Sequence, residues 1–550
     1  MLCLISIRFC GADMTKGSID KLYHNMTSYK TRYSSYGDAV GCMEGTRVKI
    51  LADLEDWALD DNSKKVYWMV GMAGIGKSSI SHTLCEMLDR MNRLGASFFC
   101  SRAFDKTNNG RLIIPVIAHA LARASPSIKF RIIKAIEDDP ALAEPTYSNL
   151  NQQFRKLIYD PIQATTGKGA RIYKIVVIDA VDECVNLHVI SSLVKLILQL
   201  ASDLPLKFFI ASRDEDLIHS AFDFYPELST AFILHEVEKH LVEDDIRKYI
   251  ERSLSDIKGQ GLDCVLDAWP TPSELSKLVG HSGRLFIYAA TAIRYINNGG
   301  KWYKAHLSTI ANRDTKTQNR LQTSTIDDLY GHILEQACTS REDWIVATLK
   351  QLISIIVFLR NPLSIQAIVD LSEIDVHPYL TLISSVIHVP SQRNLGVAPF
   401  HASFPDFVTN PTRCSPENCP SFPVLIPSDG HQMLALKCLE YMNSTLKYNI
   451  CNIPKEQTWS HRETTNSPEN INSISEALRY SCIYWASHLA EVQATSNELI
   501  LPLYIFLHEH LLHWMECLSI LDELQTGLKS LGGASNALSV SVDKNELNII

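Results

Sequence analysis

The stretch GMAGIGKS, Gly71–Ser78, decides the fold of this 550-residue chain. It fits the pattern G-x-x-x-x-G-K-[ST] without a gap, with a buried-strand pattern over Lys65–Gly71 before it and an amphipathic helix pattern over Ser78–Met91 after it. A glycine-rich turn between a strand and a helix directs backbone N–H groups and the positive end of the helix toward an anion. The stretch therefore predicts a phosphate-binding loop for a nucleoside triphosphate with Mg²⁺.

Each residue type in this loop has an expected task. Glycines let the backbone come close to phosphate oxygens, Lys77 reaches the β- and γ-phosphates, and the Ser78 hydroxyl binds Mg²⁺. The predicted nucleotide-binding residues of the loop are Gly71, Gly74, Ile75, Gly76, Lys77, Ser78 and Ser79. The alternatives are a chance match and a loop that folds but has lost binding, and the intact Lys77 and Ser78 argue against the latter.

A second apolar strand ends in acids, in the run IVVIDAVDE of Ile175–Glu183. Asp179 is the expected metal ligand beside Ser78. Glu183 is the expected catalytic residue that orients or deprotonates the attacking water, with Asp182 as the second choice. For Asp182 and Glu183 the alternative is a structural one, because acids are also favoured in the first turn of a helix.

A third strand pattern, FFIASR at Phe208–Arg213, ends in a cation. We expect it to lie beside the acidic strand, where Arg213 would sense the γ-phosphate and so distinguish a triphosphate from a diphosphate. The alternative is a surface arginine that caps a helix or pairs with Asp214 or Glu215.

Alternating strand and helix patterns up to about residue 240 predict an α/β P-loop NTPase core, a parallel sheet with helices on both faces. Beyond that point helix patterns dominate, with a few helices and a small hairpin that would suit a winged-helix unit, followed by an α-helical C-terminal region. The predicted domains are a flexible segment over 1–40, an NTPase domain over 41–240, a helical domain over 241–340, a winged-helix-like domain over 341–425, an all-helical region over 426–527 and a disordered tail over 528–550.

Composition limits the classes of partner. The net charge of −9 and the pI of about 6.1 give no electrostatic reason to expect binding of nucleic acid or of an anionic membrane. The apolar run Leu352–Leu359 is too short to span a bilayer. Fourteen scattered cysteines, several inside apolar runs, predict reduced thiols and a cytoplasmic protein.

Together these stretches resemble a NACHT domain of the STAND class of signal-transducing ATPases, and most closely the fungal NACHT proteins with a nephrocystin-like ATPase. The resemblance covers about residues 40–525. Its motifs are Gly45–Arg47, GMAGIGKSS at 71–79, GASFFCSR at 95–102, IDAVDEC at 178–184, FFIASRDED at 208–216, SGRLFIYAATAIRYI at 282–296 and FHASFPDF at 400–407. A small residue after Asp179 followed by an acidic pair is the most specific of these features.

The resemblance implies a switch that rests closed with ADP, opens when ATP replaces it, and then self-associates and signals to unknown effector and ligand proteins. It implies that Arg47 lies near the adenine and that His401 reads the β-phosphate of ADP; packing beside Phe400 and Phe404 is the alternative for His401. Relatives usually carry an N-terminal effector domain and C-terminal repeats. We find neither here, which suggests either a minimal switch module or a shortened gene model.

Three functions remain open from the sequence. The first is a signalling switch with slow ATPase activity in fungal self/non-self recognition or innate-immune-like signalling. The second is a conventional P-loop ATPase or kinase, although no acceptor-substrate pocket is recognisable. The third is a helical scaffold with a vestigial P-loop. No guanine-reading Asn-Lys-x-Asp motif is present, which favours ATP over GTP.

Overall fold

The structure is a computed structural model. It describes residues 41–104, 107–143, 149–165, 174–234, 239–260, 269–313, 323–339, 341–390, 395–453, 468–493 and 497–541. The predicted flexible segment 1–40 lies outside these ranges. The chain divides into two compact units, Met1–Ala289 and Ala290–Ile550. The finer domain boundaries given above stay predictions.

The first unit is built on a parallel sheet of five strands in the order β2-β3-β4-β1-β5. The strands are β1 Val66–Val70, β2 Leu94–Phe99, β3 Lys174–Asp179, β4 Leu206–Ser212 and β5 Ser229–Ile233. Every residue of β1 and β4 is buried, as expected for strands covered on both faces. The predicted parallel α/β core is therefore confirmed.

The strand order fixes which loops meet. Strand β4 pairs with β1 on one side and with β3 on the other. Because parallel strands all end at the same edge, the residue after β4 lies between the loop after β1 and the loop after β3. Gly71, Arg213 and the acidic run after Asp179 are thereby gathered at one edge of the sheet.

Helices cover this sheet and extend beyond it. In the first unit they are α1 Val48–Leu59, α2 Lys77–Arg90, α3 Ile113–Ala124, α4 Pro126–Asp138, α5 Leu150–Phe154, α6 Asp160–Gln163, α7 Leu187–Leu200, α8 Asp216–Asp223, α9 Lys239–Gln260 and α10 Pro272–Ser282. Helix α4, which the sequence analysis did not identify, begins at Pro126 with Ser125 as its N-cap, a signal that is visible in the sequence. Helix α11, Phe286–Asn298, contains the division between the units.

The described part of the second unit is mostly helical. Its helices are α12 Tyr303–Ala311, α13 Thr323–Cys338, α14 Asp343–Phe358, α15 Ile365–Ser372, α16 His377–Ile383, α17 Ser403–Val408, α18 Pro427–Thr445, α19 Pro468–Ser473, α20 Glu476–Leu489, α21 Asn497–Ile505, α22 Leu511–Ile520 and α23 Leu524–Ser541. An antiparallel pair, β6 Ile387–His388 and β7 Ala398–Pro399, follows α16 and matches the predicted small hairpin. None of the helices in the described ranges is both long and apolar enough to cross a bilayer.

The C-terminal tail corrects one sequence prediction. The segment from residue 528 was expected to be disordered, yet Leu524–Ser541 is helical. Gly527 lies against α22, where an added Cβ would be 2.4 Å from Leu518 and 3.1 Å from Trp514. Gly527, one of the small residues that suggest disorder in the sequence, instead permits close helix packing. Residues 542–550 lie outside the described ranges.

Candidate functional site

The loop after β1 adopts a conformation that its glycines make possible. Gly74 has φ 79° and Gly76 has φ 98°, in the left-handed region that other residues avoid. A Cβ on Gly71 would lie 2.4 Å from Ile75 Cδ1 and 3.2 Å from Leu234 Cβ, so a larger residue there would require Ile75 to shift. The Gly71 N–H donates to Ser212 O at 3.1 Å, which joins the loop to the end of β4. Helix α2 begins directly after Gly76, so its positive end lies at the loop.

Lys77 lies at the start of α2 and is 9% exposed. Its ammonium group donates to Gly71 O at 2.6 Å and to Met72 O at 2.9 Å, both within the loop. Burial lowers the pKa of Lys77, and the nearby carboxylates of Asp182 and Asp179 oppose this shift. A cation held over a glycine-rich loop by two carbonyls can exchange these partners for phosphate oxygens.

Arg47 contacts the loop through the carbonyl of Ile75. It precedes α1 with φ 55°, and its guanidinium donates to Ile75 O at 2.6 Å. The same group lies over the ring of Phe286 at 4.7 Å from the centroid, and the Arg47 backbone N–H donates to Asp245 Oδ2 at 3.1 Å. Because the Ile287 N–H also donates to Gly74 O, the start of α11 is joined to the loop at two points. Contact of Arg47 with a nucleobase stays a prediction.

Asp179 ends β3 and is only 2% exposed. Burial raises its pKa, and hydrogen bonds from Ser78 and Ser81 oppose the shift. The structure thus brings together the two predicted metal ligands, Ser78 and Asp179. The described residues contain no group of three or more His, Cys, Asp or Glu side chains arranged around a metal. A Mg²⁺ at phosphates takes its other ligands from phosphate and water, so a hydroxyl and a carboxylate fit it.

The two acids after Asp179 have different surroundings. Asp182 accepts from the Arg213 N–H at 2.9 Å and forms an ion pair with Arg213 Nε at 3.2 Å. Glu183 is half-buried and accepts from the Arg102 N–H at 3.2 Å. Burial, with the charge of Asp182 adding to it, raises the pKa of Glu183 to about 7. A carboxyl with this pKa can accept a proton at neutral pH, whereas Asp182 is already occupied by a cation.

Arg213 lies in the first unit and His401 in the second. Arg213 pairs with Asp182 across the sheet edge and not with Asp214, which instead contacts His219 at 2.6 Å. His401 lies in the second unit, where its Nδ1 contacts Ser403 Oγ at 2.8 Å and accepts from the Ser403 N–H at 3.1 Å. The roles of both residues toward a phosphate stay predictions, as does that of Ser79.

Sequence reasoning missed Ser81. Its hydroxyl is fully buried and donates to Asp179 Oδ1 at 2.7 Å, while also lying 3.1 Å from Lys77 O. The spacing gave a signal, because Ser81 is one helical turn after Lys77 and Ser78 and so shares their face of α2. Ser81 orients the carboxylate that is expected to hold the metal.

Replacing Ser81 with alanine should weaken Mg²⁺ binding about tenfold or more, as the loss of a partner behind a metal ligand commonly does. The measurement is a Mg²⁺ titration of the thermal stabilisation given by ADP, with an ADP titration in EDTA alongside it. ADP binding without metal should be unchanged. Ser192→Ala is the matched control, since Ser192 also bonds to the carbonyl four residues earlier but touches no acid in the site. Equal Mg²⁺ dependence in both variants would contradict this role.

Known proteins resemble this chain over the region that contains the candidate site. Residues 45–213 match the family model described as the N-terminal region of nephrocystin 3. The vegetative incompatibility protein HET-E-1 of Podospora anserina is 21% identical over 528 residues, covering 89% of this chain and 36% of that protein. The chain therefore spans about a third of the length of this relative. These matches confirm the resemblance to nephrocystin-like fungal NACHT proteins.

Solved structures give a weaker likeness. A chain in the structure of Drosophila ORC bound to AT-rich DNA and Cdc6 has a TM-score of 0.25 and 10% identity, covering 98% of this chain and 77% of that one. A chain in Drosophila ORC bound to DNA has a TM-score of 0.24 and 10% identity, with coverage of 99% and 80%. At such scores neither comparison says anything about function.

Proposed function

We propose that this chain, which resembles nephrocystin-like fungal NACHT proteins, is an ATP-binding and slowly ATP-hydrolysing signalling switch, ADP-bound when off and ATP-bound when on. The observation that carries the proposal is the loop Gly71–Ser78, in which a left-handed glycine turn, Lys77 and the pair of Ser78 and Asp179 lie at one sheet edge. A site that binds a triphosphate together with a divalent cation requires these groups.

Each group has one task in the proposed cycle. The loop glycines and Lys77 bind the phosphates, while Ser78 and Asp179 hold Mg²⁺, which supplies charge neutralisation at the phosphates when bound. Glu183 accepts a proton from the attacking water. Arg213, now paired with Asp182, is the cation that would respond to the γ-phosphate, so its release from Asp182 would mark the triphosphate state.

The signalling role of the switch is proposed from its similarity to known proteins. A protein with nucleotide-dependent states that resembles a vegetative incompatibility protein fits fungal self/non-self or innate-immune-like signalling, with self-association in the ATP state. The order of α14, α15 and α16 followed by the β6–β7 hairpin supports the proposed winged-helix domain, and His401 there is the proposed reader of ADP. The described cysteines are all free thiols, which supports a cytoplasmic location.

Thermal unfolding of the purified chain, stripped of co-purified nucleotide, tests the proposal. A nucleotide at ~100 times its Kd adds about 2.7 kcal/mol to the free energy of unfolding, because it binds only the native state. For a unit of this size we expect both ADP·Mg²⁺ and ATP·Mg²⁺ to raise Tm by about 5–10 °C. GTP·Mg²⁺ at the same concentration is the control for base preference.

The outcomes separate the three functions left open above. Stabilisation by nucleotide with slow turnover and ATP-dependent oligomers is the result for a switch. Turnover in the range of about 1–100 s⁻¹ would instead indicate a conventional ATPase. The absence of any shift with either nucleotide would mean that the loop is vestigial and that the chain is a helical scaffold.

A further inference from the structure

Two cysteines lie side by side behind the candidate base. Cys100 follows β2 and Cys184 follows Glu183, and their sulfur atoms are 3.5 Å apart. Both are 5% exposed, so the pair lies inside the protein, at the sheet edge that carries the site. Neither residue has a task in the proposed nucleotide chemistry.

Hydrogen bonds already join the two backbone segments that carry these thiols. The Cys100 N–H donates to Asp179 O at 2.9 Å, and the Val185 N–H donates to Asn108 O at 2.9 Å. Between these two bonds the Arg102 N–H donates to the Glu183 carboxylate. The loop after β2 and the loop after β3 therefore run together on both sides of the sulfur pair.

Cys184 is packed inside the protein. Gly110 lies beside it, where an added Cβ would be 3.7 Å from Cys184 Sγ, an ordinary van der Waals distance, and 2.6 Å from Ile190 Cδ1. A disulfide requires the sulfurs to approach from 3.5 Å to about 2.05 Å. That approach draws Cys184 toward Cys100 and moves the adjoining Glu183.

We propose that Cys100 and Cys184 form a reversible oxidation site whose disulfide withdraws Glu183 and stops ATP hydrolysis while the phosphate loop still binds nucleotide. The hydrolysis part of this inference rests on the proposed function. The oxidant is a peroxide. One thiolate attacks a peroxide oxygen, forming an S–O bond and breaking the O–O bond, and the released hydroxide takes a proton to give water. The second thiol then attacks that sulfur, forming the S–S bond and breaking the S–O bond, and the oxygen leaves with the thiol proton as the second water. Two thiols and one H₂O₂ give one disulfide and two waters.

Burial governs the speed of this reaction. Burial, and next the hydrogen bond with Cys184, raises the pKa of Cys100 well above its ordinary value. Burial also limits the access of peroxide to the two thiols, so oxidation should be slow. The disulfide is therefore expected to form under sustained exposure to oxidant.

The test treats the full chain with H₂O₂, alkylates the remaining thiols and maps linked peptides by mass spectrometry. We expect a Cys100–Cys184 link in the wild type and in the control Cys482→Ser, which removes one thiol of another buried pair at 3.8 Å. Single-turnover hydrolysis should fall about tenfold or more, since a general base contributes about 10²–10⁴. Nucleotide affinity should be unchanged, and dithiothreitol should restore the rate.

Cys100→Ser and Cys184→Ser should lose the link and hydrolyse ATP equally before and after peroxide. If the serine variants fold poorly, Cys100→Ala serves the same purpose. Amide hydrogen exchange at Arg102 gives a readout that does not depend on hydrolysis, and it should speed up on oxidation as Glu183 withdraws. The inference is overturned if no Cys100–Cys184 link forms, or if it forms with neither hydrolysis nor exchange altered. Absence of hydrolysis in the reduced protein would instead count against the proposed function, leaving the link and the exchange to decide the inference.

Discussion

Replacing Lys77 with alanine should abolish measurable binding of ATP·Mg²⁺ under conditions where the wild type is saturated. Removing one partner of a desolvated, hydrogen-bonded charge pair costs about 2–5 kcal/mol or more, which is a loss of affinity of about thirtyfold upward. Lys77 would form such a pair with the phosphates, since it is buried and its ammonium group already lies at the loop, bonded to two carbonyls. Isothermal titration with ATP and with ADP measures the loss, and Lys77→Arg should also fail because the guanidinium is too large for the loop.

Lys174→Ala is the control for this prediction. Lys174 also donates to a main-chain carbonyl, that of Asn92 at 2.9 Å, but it lies at the beginning of β3 and so at the opposite edge of the sheet. Its removal should leave nucleotide affinity unchanged. Wild-type affinity in Lys77→Ala would mean that Gly71–Ser78 does not bind phosphate.

Replacing Glu183 with glutamine should slow hydrolysis by about 10²–10⁴-fold while leaving ATP affinity intact, because glutamine cannot accept a proton. The pKa of Glu183 is raised to about 7, chiefly by burial, and only the ionised form acts as a base. The wild-type rate should therefore fall about tenfold per pH unit below this pKa and level off above it. Single-turnover measurements across this pH range should show the step in the wild type and its absence in the variant.

Two further variants show whether the assignment to Glu183 is specific. Glu227→Gln changes an exposed acid on the turn before β5 and should keep both the rate and its pH dependence. Asp182→Asn removes the partner of Arg213 and should alter the response to the γ-phosphate more than the proton transfer. An unchanged rate in Glu183→Gln together with a large loss in Asp182→Asn would move the role of base to Asp182.

The sequence by itself determined the strands, most of the long helices and the glycine-rich loop Gly71–Ser78. These features are local, since a strand followed by glycines and a lysine constrains its own backbone whatever lies around it. It also gave Ser78 and Asp179 as partners, because parallel strands end at one edge of a sheet. The helical tail to Ser541 was not predicted because its small residues favour disorder, whereas in the structure Gly527 permits close packing against α22.

Only the tertiary structure decided which partners neighbouring groups of similar chemistry have. Asp182 and Glu183 are adjacent in the chain, yet the first meets Arg213 and the second is left half-buried with a raised pKa. Ser81 reaches Asp179, 98 residues away, and Cys100 meets Cys184 across 84 residues. Such contacts depend on which strands are neighbours and how far each loop extends, so spacing along the chain cannot specify them.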